Sequence, residues 1–263
     1  RERIIRALNF RESDRVPIDF GGSVNTSIVV EAYDNFKKHL GIEKQNIVLQ
    51  HPTRVVHVDE EVLQQFDIDT RTVTMWAPRN TESDFFRKPE YTDIWGIKRH
   101  LRRDSLYFEI VSSPLADELT QERIQQHPWP DPDDSLHTAF LREQAEWIRE
   151  NTDCALVLYV PPPIIHISQY LRGMENWFMD LALNPRTMEY LLDTILDITS
   201  VMARNVLSEV GSMADVVTCS DDIGGQSGLL ISKEHYQKFI QPRHEKYFDE
   251  IHSLTDAKLL YHS

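Results

Sequence analysis

Cysteine is nearly absent: there are two in 263 residues, Cys154 and Cys219, and both lie in apolar stretches. That excludes a disulfide-stapled secreted scaffold and fits reduced, buried thiols in a cytoplasmic protein. The sequon Asn25-Thr26-Ser27 is then read as chance. Long apolar runs are missing too. Nothing approaches the ~18 residues that span a bilayer, and no signal peptide is visible. Positive charge is scarce, with 28 lysines and arginines against 42 acidic residues and a formal net charge of −14. Such a field repels nucleic-acid phosphates and anionic lipid, so neither nucleic acid nor membrane is an expected partner. The familiar motifs Cys-x-x-Cys, His-Glu-x-x-His and Gly-x-Ser-x-Gly do not occur. His51 and His57, or His235 and His244, do not have helical ligand spacing, and DIDTR and DPDDS lack the glycine of a calcium loop.

What remains is an alternating pattern. A hydrophobic fraction of 41% supplies ample core for a chain of this length. Strand-like runs occur at RVPIDFGG (15–22), DTRTVTMW (69–76), CALVLYVP (154–161), ADVVTCSD (214–221) and AKLLYHS (257–263), with helix-like segments filling the later gaps. Strand–helix alternation predicts an α/β protein with a mainly parallel sheet. The clearest helix is predicted to start at Asn184-Pro185, with asparagine as cap and proline in the first turn. Met188, Leu191, Leu192, Ile195, Ile198, Met202 and Val206 then recur at helical spacing. Another helix starts near Ser232, and Pro242 predicts a break before a second carrying Tyr247, Phe248 and Ile251. Residues 91–113 hold two β-rich runs, TDIWGIKRHL and SLYFEIVSS, read as an inserted hairpin. Five parallel strands leave two architectures open, a doubly wound sheet and the first part of a (βα)8 barrel. Both ends look cut. RERIIRALNF opens inside a helical pattern, AKLLYHS ends just after delivering His262, and the expectation is a fragment of a longer protein.

In both architectures chemistry belongs at the C-terminal ends of the strands, and here those ends are polar. They offer Asp19-Phe20-Gly21-Gly22, then three prolines followed by His166 and Tyr170, then Asp221-Asp222, then His262. Each has a plain reading beside the chemical one. Neighbours on a strand point to opposite faces, so one of Asp221 and Asp222 faces a lumen while the other is free to cap a turn. His262 is either a hydrogen-bonded structural histidine or a metal ligand. Tyr170 either packs its ring or donates to substrate. Gly224, Gly225 and Gly228 suggest a phosphate cradle, but the two carboxylates before them would repel phosphate.

The succession RVPIDFGG, DIDTR, DIWG, LRGMENWFMDLALNP, DDIGGQSGLLISKEHYQKFIQPRHEKYFDEIH and AKLLYHS resembles the uroporphyrinogen decarboxylase superfamily over nearly the whole chain, most specifically from Asp221 to His262. The resemblance implies a (βα)8 TIM barrel, here truncated after about the fifth strand, as one incomplete domain over residues 1–263 with its insert at about 91–113. Within the superfamily, the decarboxylases carry an arginine pair in a motif like MRQAGR after the first strand. This chain has FGGSVNTS there, with no arginine between Arg15 and Arg54, so a substrate with eight carboxylates lacks its cations. Asp221 also stands where decarboxylases have serine, while Tyr170 matches their active-site tyrosine.

The corrinoid-linked methyltransferases are the closer branch. They hold zinc through a His-x-Cys on the fifth strand and a later cysteine, which implies His262 as a zinc ligand and cysteine ligands beyond residue 263. It further implies a partner corrinoid protein carrying methylcobamide, and a small-molecule methyl donor or acceptor such as a thiol. Asp221, Asp222 and Tyr170 become catalytic candidates, with Asp19, Gly21, Gln226 and His166 around the substrate. The alternatives are porphyrinogen decarboxylation without metal, leaning on Asp221 and Tyr170, and a non-catalytic barrel acting as a binding module.

Overall fold

The computed structural model describes residues 1–75, the backbone of 79 and 80, and residues 88–263. Trp76, the last residue of the predicted strand 69–76, lies outside the described residues. Four strands form a parallel sheet in the spatial order β4-β3-β2-β1: β1 (Thr70–Thr74), β2 (Ala155–Tyr159), β3 (Val216–Ser220) and β4 (Lys258–His262). Their register aligns Thr74 with Tyr159, Tyr159 with Thr218, and Ser220 with His262, so the C-terminal ends share one rim. One face buries Val73, Met75, Leu156, Leu158, Val217 and Cys219 in the main core. That face lies under five helices: α1 (Leu141–Asn151), α2 (Ile165–Arg172), α3 (Met174–Leu183), α4 (Pro185–Val210) and α5 (Gln241–Leu254). A parallel sheet covered by its crossover helices reads as near-continuous apolar runs, which is why the central strands β2 and β3 stand out in the sequence.

The predicted strand at 15–22 does not join the ladder. Pro17 has no donor, and the Ile18 N–H is taken by the Asp69 carboxylate at 2.8 Å instead of by a strand, leaving one backbone bond, Asp69 N–H to Ile18 C=O at 2.9 Å. The sheet therefore has four strands rather than five, and no closed barrel forms among the described residues. Helix α4 starts where predicted, but Asn184 makes no cap bond; its amide donates to the Leu119 carbonyl at 3.0 Å. Ser232 does cap, accepting from His235 N–H at 3.2 Å. The break demanded by Pro242 is a π-helical turn, Tyr236–Ile240, that leads directly into α5. A widened turn accommodates the missing donor without the chain leaving the helix.

The insert has three antiparallel strands, Glu90–Thr92, Lys98–His100 and Glu109–Ser112, instead of two. Asp93 folds the first run on itself. Its carboxylate accepts the Trp95 and Ile97 N–H groups, each at 3.0 Å, and Gly96 supplies a φ of +78°. Two aspartates close the opposite, N-terminal end of the sheet. Asp69 pairs with Arg3 and with Arg15 (2.7 Å), and Asp215 pairs with Arg149 (2.8 Å) and Arg1 (2.9 Å). Each immediately precedes a strand, at the end of the sheet where paired charges serve stability rather than chemistry.

Candidate functional site

After Tyr159 the chain passes through Val160 and Pro161-Pro162-Pro163 before α2 begins. The proline carbonyls are held by hydroxyls: Tyr247 donates to Pro161 at 2.7 Å and Thr199 to Pro163 at 2.9 Å. Helix α2 then needs acceptors for its first N–H groups, and its own cap residue, Ile164, has no side-chain acceptor. Asp221, arriving at the end of β3, provides them. One carboxylate oxygen accepts from Ile164 and Ile165, each at 2.8 Å, and the other from His166 at 2.9 Å. The negative charge also lies at the favourable pole of the helix dipole. His244 of α5 approaches the same carboxylate with Nε2 at 3.3 Å. Asp221 is fully buried. Its contacts are with the protein itself, and it positions the start of α2.

Asp222 points the other way and is half exposed. Its Oδ2 lies 3.3 Å from His166 Nε2, and its Oδ1 lies 3.9 Å from Nε2 of the half-exposed His262. His166 Nδ1 is 3.5 Å from Asp221. The rim thus carries a row of alternating carboxylates and imidazoles, Asp221–His166–Asp222–His262, a candidate relay with separations of 3.5, 3.3 and 3.9 Å, drawn from the ends of β2, β3 and β4. Tyr170, one turn beyond His166 on α2, stacks on its ring with centroids 5.8 Å apart and planes 18° apart. Burial, above all, pushes the Tyr170 hydroxyl upward, with the Arg99 guanidinium opposing it. At neutral pH Tyr170 is a donor, not a base.

Three predicted residues stay away from this rim. The Asp19 carboxylate accepts from Gly22 N–H at 2.9 Å and from the Thr70 hydroxyl. Thr70 is the first residue of β1, about 13 Å of strand from the rim at ~3.3 Å per residue. Gly21 lies beside it, in a turn with φ +78° packed on Val58. Both belong to the N-terminal end because the segment 15–22 crosses there and not along the sheet. Gln226 is exposed at the tip of the two-residue hairpin between Gly225 and Gly228.

Neither cysteine joins His262. Cys219 is fully buried on the helix-covered face, and Cys154, only partly buried, lies at the N-terminal end of β2 with its thiol directed at the Ile68 carbonyl, 3.4 Å away. Burial, with Asp221 adding to it, pushes the Cys219 thiol far up, so an aromatic disulfide reagent is expected to label one thiol in the native protein and two after unfolding. Rapid native labelling of both would contradict the packing. Among the described residues, no three histidine, cysteine or acidic side chains group closely enough to hold a metal ion. No helix among them is long and apolar enough to cross a membrane.

Sequence reasoning missed two residues. His244 shares the i, i+3, i+7 stripe of α5 with Tyr247 and Ile251, so it reads as one more core position; the structure puts it 2% exposed, against Asp221 and the rings of Phe248 and Tyr261. Arg99, on the middle strand of the insert, places its guanidinium carbon 5.0 Å from the Tyr170 ring centre. Nothing local in KRHL signals that reach.

No curated protein matches the chain. Among solved structures, a methyltransferase from Methanosarcina mazei superposes with a TM-score of 0.58 at 15% identity, over 99% of this chain and 68% of that chain. At that identity the likeness concerns the fold, an α/β arrangement of the TIM-barrel kind. A family match covers residues 112–263, more than half of the chain. That span contains His166, Tyr170, Asp221, Asp222, His244 and His262, and leaves Arg99 outside. On this match the chain belongs to the uroporphyrinogen decarboxylase (URO-D) family.

Proposed function

We propose that this protein is a methyltransferase that moves a methyl group between a corrinoid on a partner protein and a small-molecule thiol or other acceptor. The observation that carries the reading is the relay at the rim. Two imidazoles, His166 and His262, flank one half-exposed carboxylate, Asp222, at 3.3 and 3.9 Å. A flanked carboxylate of this kind can hold an imidazole in one tautomer while the imidazole takes or returns a proton from a bound thiol. Tyr170, kept protonated, donates to the same ligand. The solved methyltransferase with a similar fold supports the reading.

Decarboxylation of a porphyrinogen is less well supported. Asp221, on which it would lean, is buried and fully engaged, and no arginine lies between Arg15 and Arg54 to pair with a polycarboxylate. The described residues do not complete a zinc site on their own, since His262 has only the Asp222 carboxylate near it and zinc sites need three protein ligands or more. We propose His262 as one zinc ligand, with cysteines outside residues 1–263 supplying the rest.

The test is to supply methylcobalamin and a simple thiol and follow loss of the methyl-cobalt absorbance. Protein that includes the residues after 263 is expected to contain about one zinc per chain, with His262→Ala lowering that content at least tenfold after dialysis against a weak chelator. Metal-free protein that leaves methylcobalamin untouched would sink the reading, and release of carbon dioxide from uroporphyrinogen would favour the decarboxylase.

A further inference from the structure

Among the described residues, three arginines have side chains at most 7% exposed: Arg71, Arg99 and Arg172. Burying a guanidinium is costly unless its five N–H groups find acceptors. Two of the three are engaged through at least one terminal nitrogen as well as Nε. Arg71 grips Glu60 with Nε at 2.7 Å and Nη2 at 2.8 Å, and its Nη1 donates to the carbonyls of Ile68 and Thr70. Arg172 pairs with Asp180 at 2.5 Å and directs Nη1 at the carbonyls of Leu115, Ala116 and Asp117.

Arg99 differs. Only its Nε is engaged, to Asp93 at 3.1 Å, and among the described residues its two terminal nitrogens have no acceptor. Asp93 is itself already occupied by the Trp95 and Ile97 N–H groups of its turn. The open end of the guanidinium lies over the Tyr170 ring, 5.0 Å from its centre, and Tyr170 stacks on His166. The Tyr170 hydroxyl likewise has no protein partner among the described residues. A cation–π contact offsets part of the burial cost but satisfies no N–H. Two side chains on the rim, one charged and one neutral donor, therefore both lack acceptors beside the proposed reaction site.

We propose that Arg99 is the anchor for a carboxylate on the small-molecule ligand of this site. A planar fork with its outer N–H groups free matches a carboxylate bidentately, and no acidic side chain among the described residues fills that position. The insert thereby gains a role. It carries the specificity-determining cation to a rim whose other polar groups, His166, Asp222 and His262, come from the barrel strands and helices.

The proposal rests on the methyl-transfer reading only in identifying the ligand as a thiol, and its test needs no methyl donor. The purified protein is titrated calorimetrically with 3-mercaptopropionate and with its neutral amide, 3-mercaptopropionamide. The acid is expected to bind about tenfold or more tightly than the amide, the value of one charge-assisted pair in a partly desolvated site. Arg99→Gln is expected to abolish that preference, and Arg99→Lys to retain only part of it, because an ammonium keeps the charge but not the fork. Equal binding of acid and amide by the unaltered protein overturns the proposal, as does no binding of the acid at millimolar concentration. Survival of the preference in Arg99→Gln overturns it as well. The comparison on the unaltered protein decides the matter even where Arg99→Gln does not fold. Failure of methyl transfer in the separate methylcobalamin assay bears on the function reading alone.

Discussion

Asp221→Ala is expected to lower the unfolding free energy by about 3–5 kcal/mol, measured by urea denaturation with the slope of the transition unchanged. The substitution removes one side chain but strands several groups. Ile164, Ile165 and His166 each lose the acceptor of a backbone N–H, and His244 loses the partner of its Nε2 while its Nδ1 is already buried without one. The carboxylate is 0% exposed, so the desolvation already incurred by these donors loses its compensation. Helix α2, only eight residues long, also loses the negative charge at its N-terminus. Asp221→Asn keeps the shape and one acceptor oxygen but turns an NH2 toward N–H donors, so it is expected to cost less, about 1–3 kcal/mol. If Asp221→Ala unfolded within about 1 kcal/mol of the parent, the carboxylate would not be the cap that its geometry makes it.

The contrast between neighbouring aspartates is partly legible in the sequence. Strand alternation sends adjacent side chains to opposite faces, and Asp221 is indeed buried while Asp222 meets the rim. What alternation does not reveal is which structure Asp221 caps. It serves the helix that follows the preceding strand, 56 residues earlier at Ile165, not the turn after itself. Strands β2 and β3 are readable because both sides of each run are apolar or small. The segment RVPIDFGG has the same composition, but Pro17 and the Asp69 carboxylate divert its hydrogen bonds. Asp19 and Gly21 consequently fall at the wrong end of the sheet for chemistry. His244 and Arg99 are illegible for a different reason. Their importance lies in what they touch across 23 and 71 residues of sequence, and neither has a local pattern that distinguishes it from a core histidine or a surface arginine.

Asp222→Ala should behave in the opposite way to Asp221→Ala: unfolding within about 0.5 kcal/mol of the parent, but methyl transfer from methylcobalamin to a thiol slowed about 10²-fold. The stability half follows from exposure. Asp222 is 46% exposed, and its only side-chain partners among the described residues are the rings of His166 and His262, contacts that water can replace. The activity half follows from the relay. Without the carboxylate, His166 Nε2 and His262 Nε2 lose the charged group that lies between them, and with it a restraint on the orientation of both rings. Asp222→Asn separates charge from geometry. It preserves an acceptor and a similar shape, so a variant as slow as Asp222→Ala means that the negative charge is what the imidazoles require, whereas partial activity means that orientation carries most of the effect. Full activity in Asp222→Ala would remove the relay from the mechanism and leave Tyr170 and Arg99 as the groups on this rim that still need a ligand.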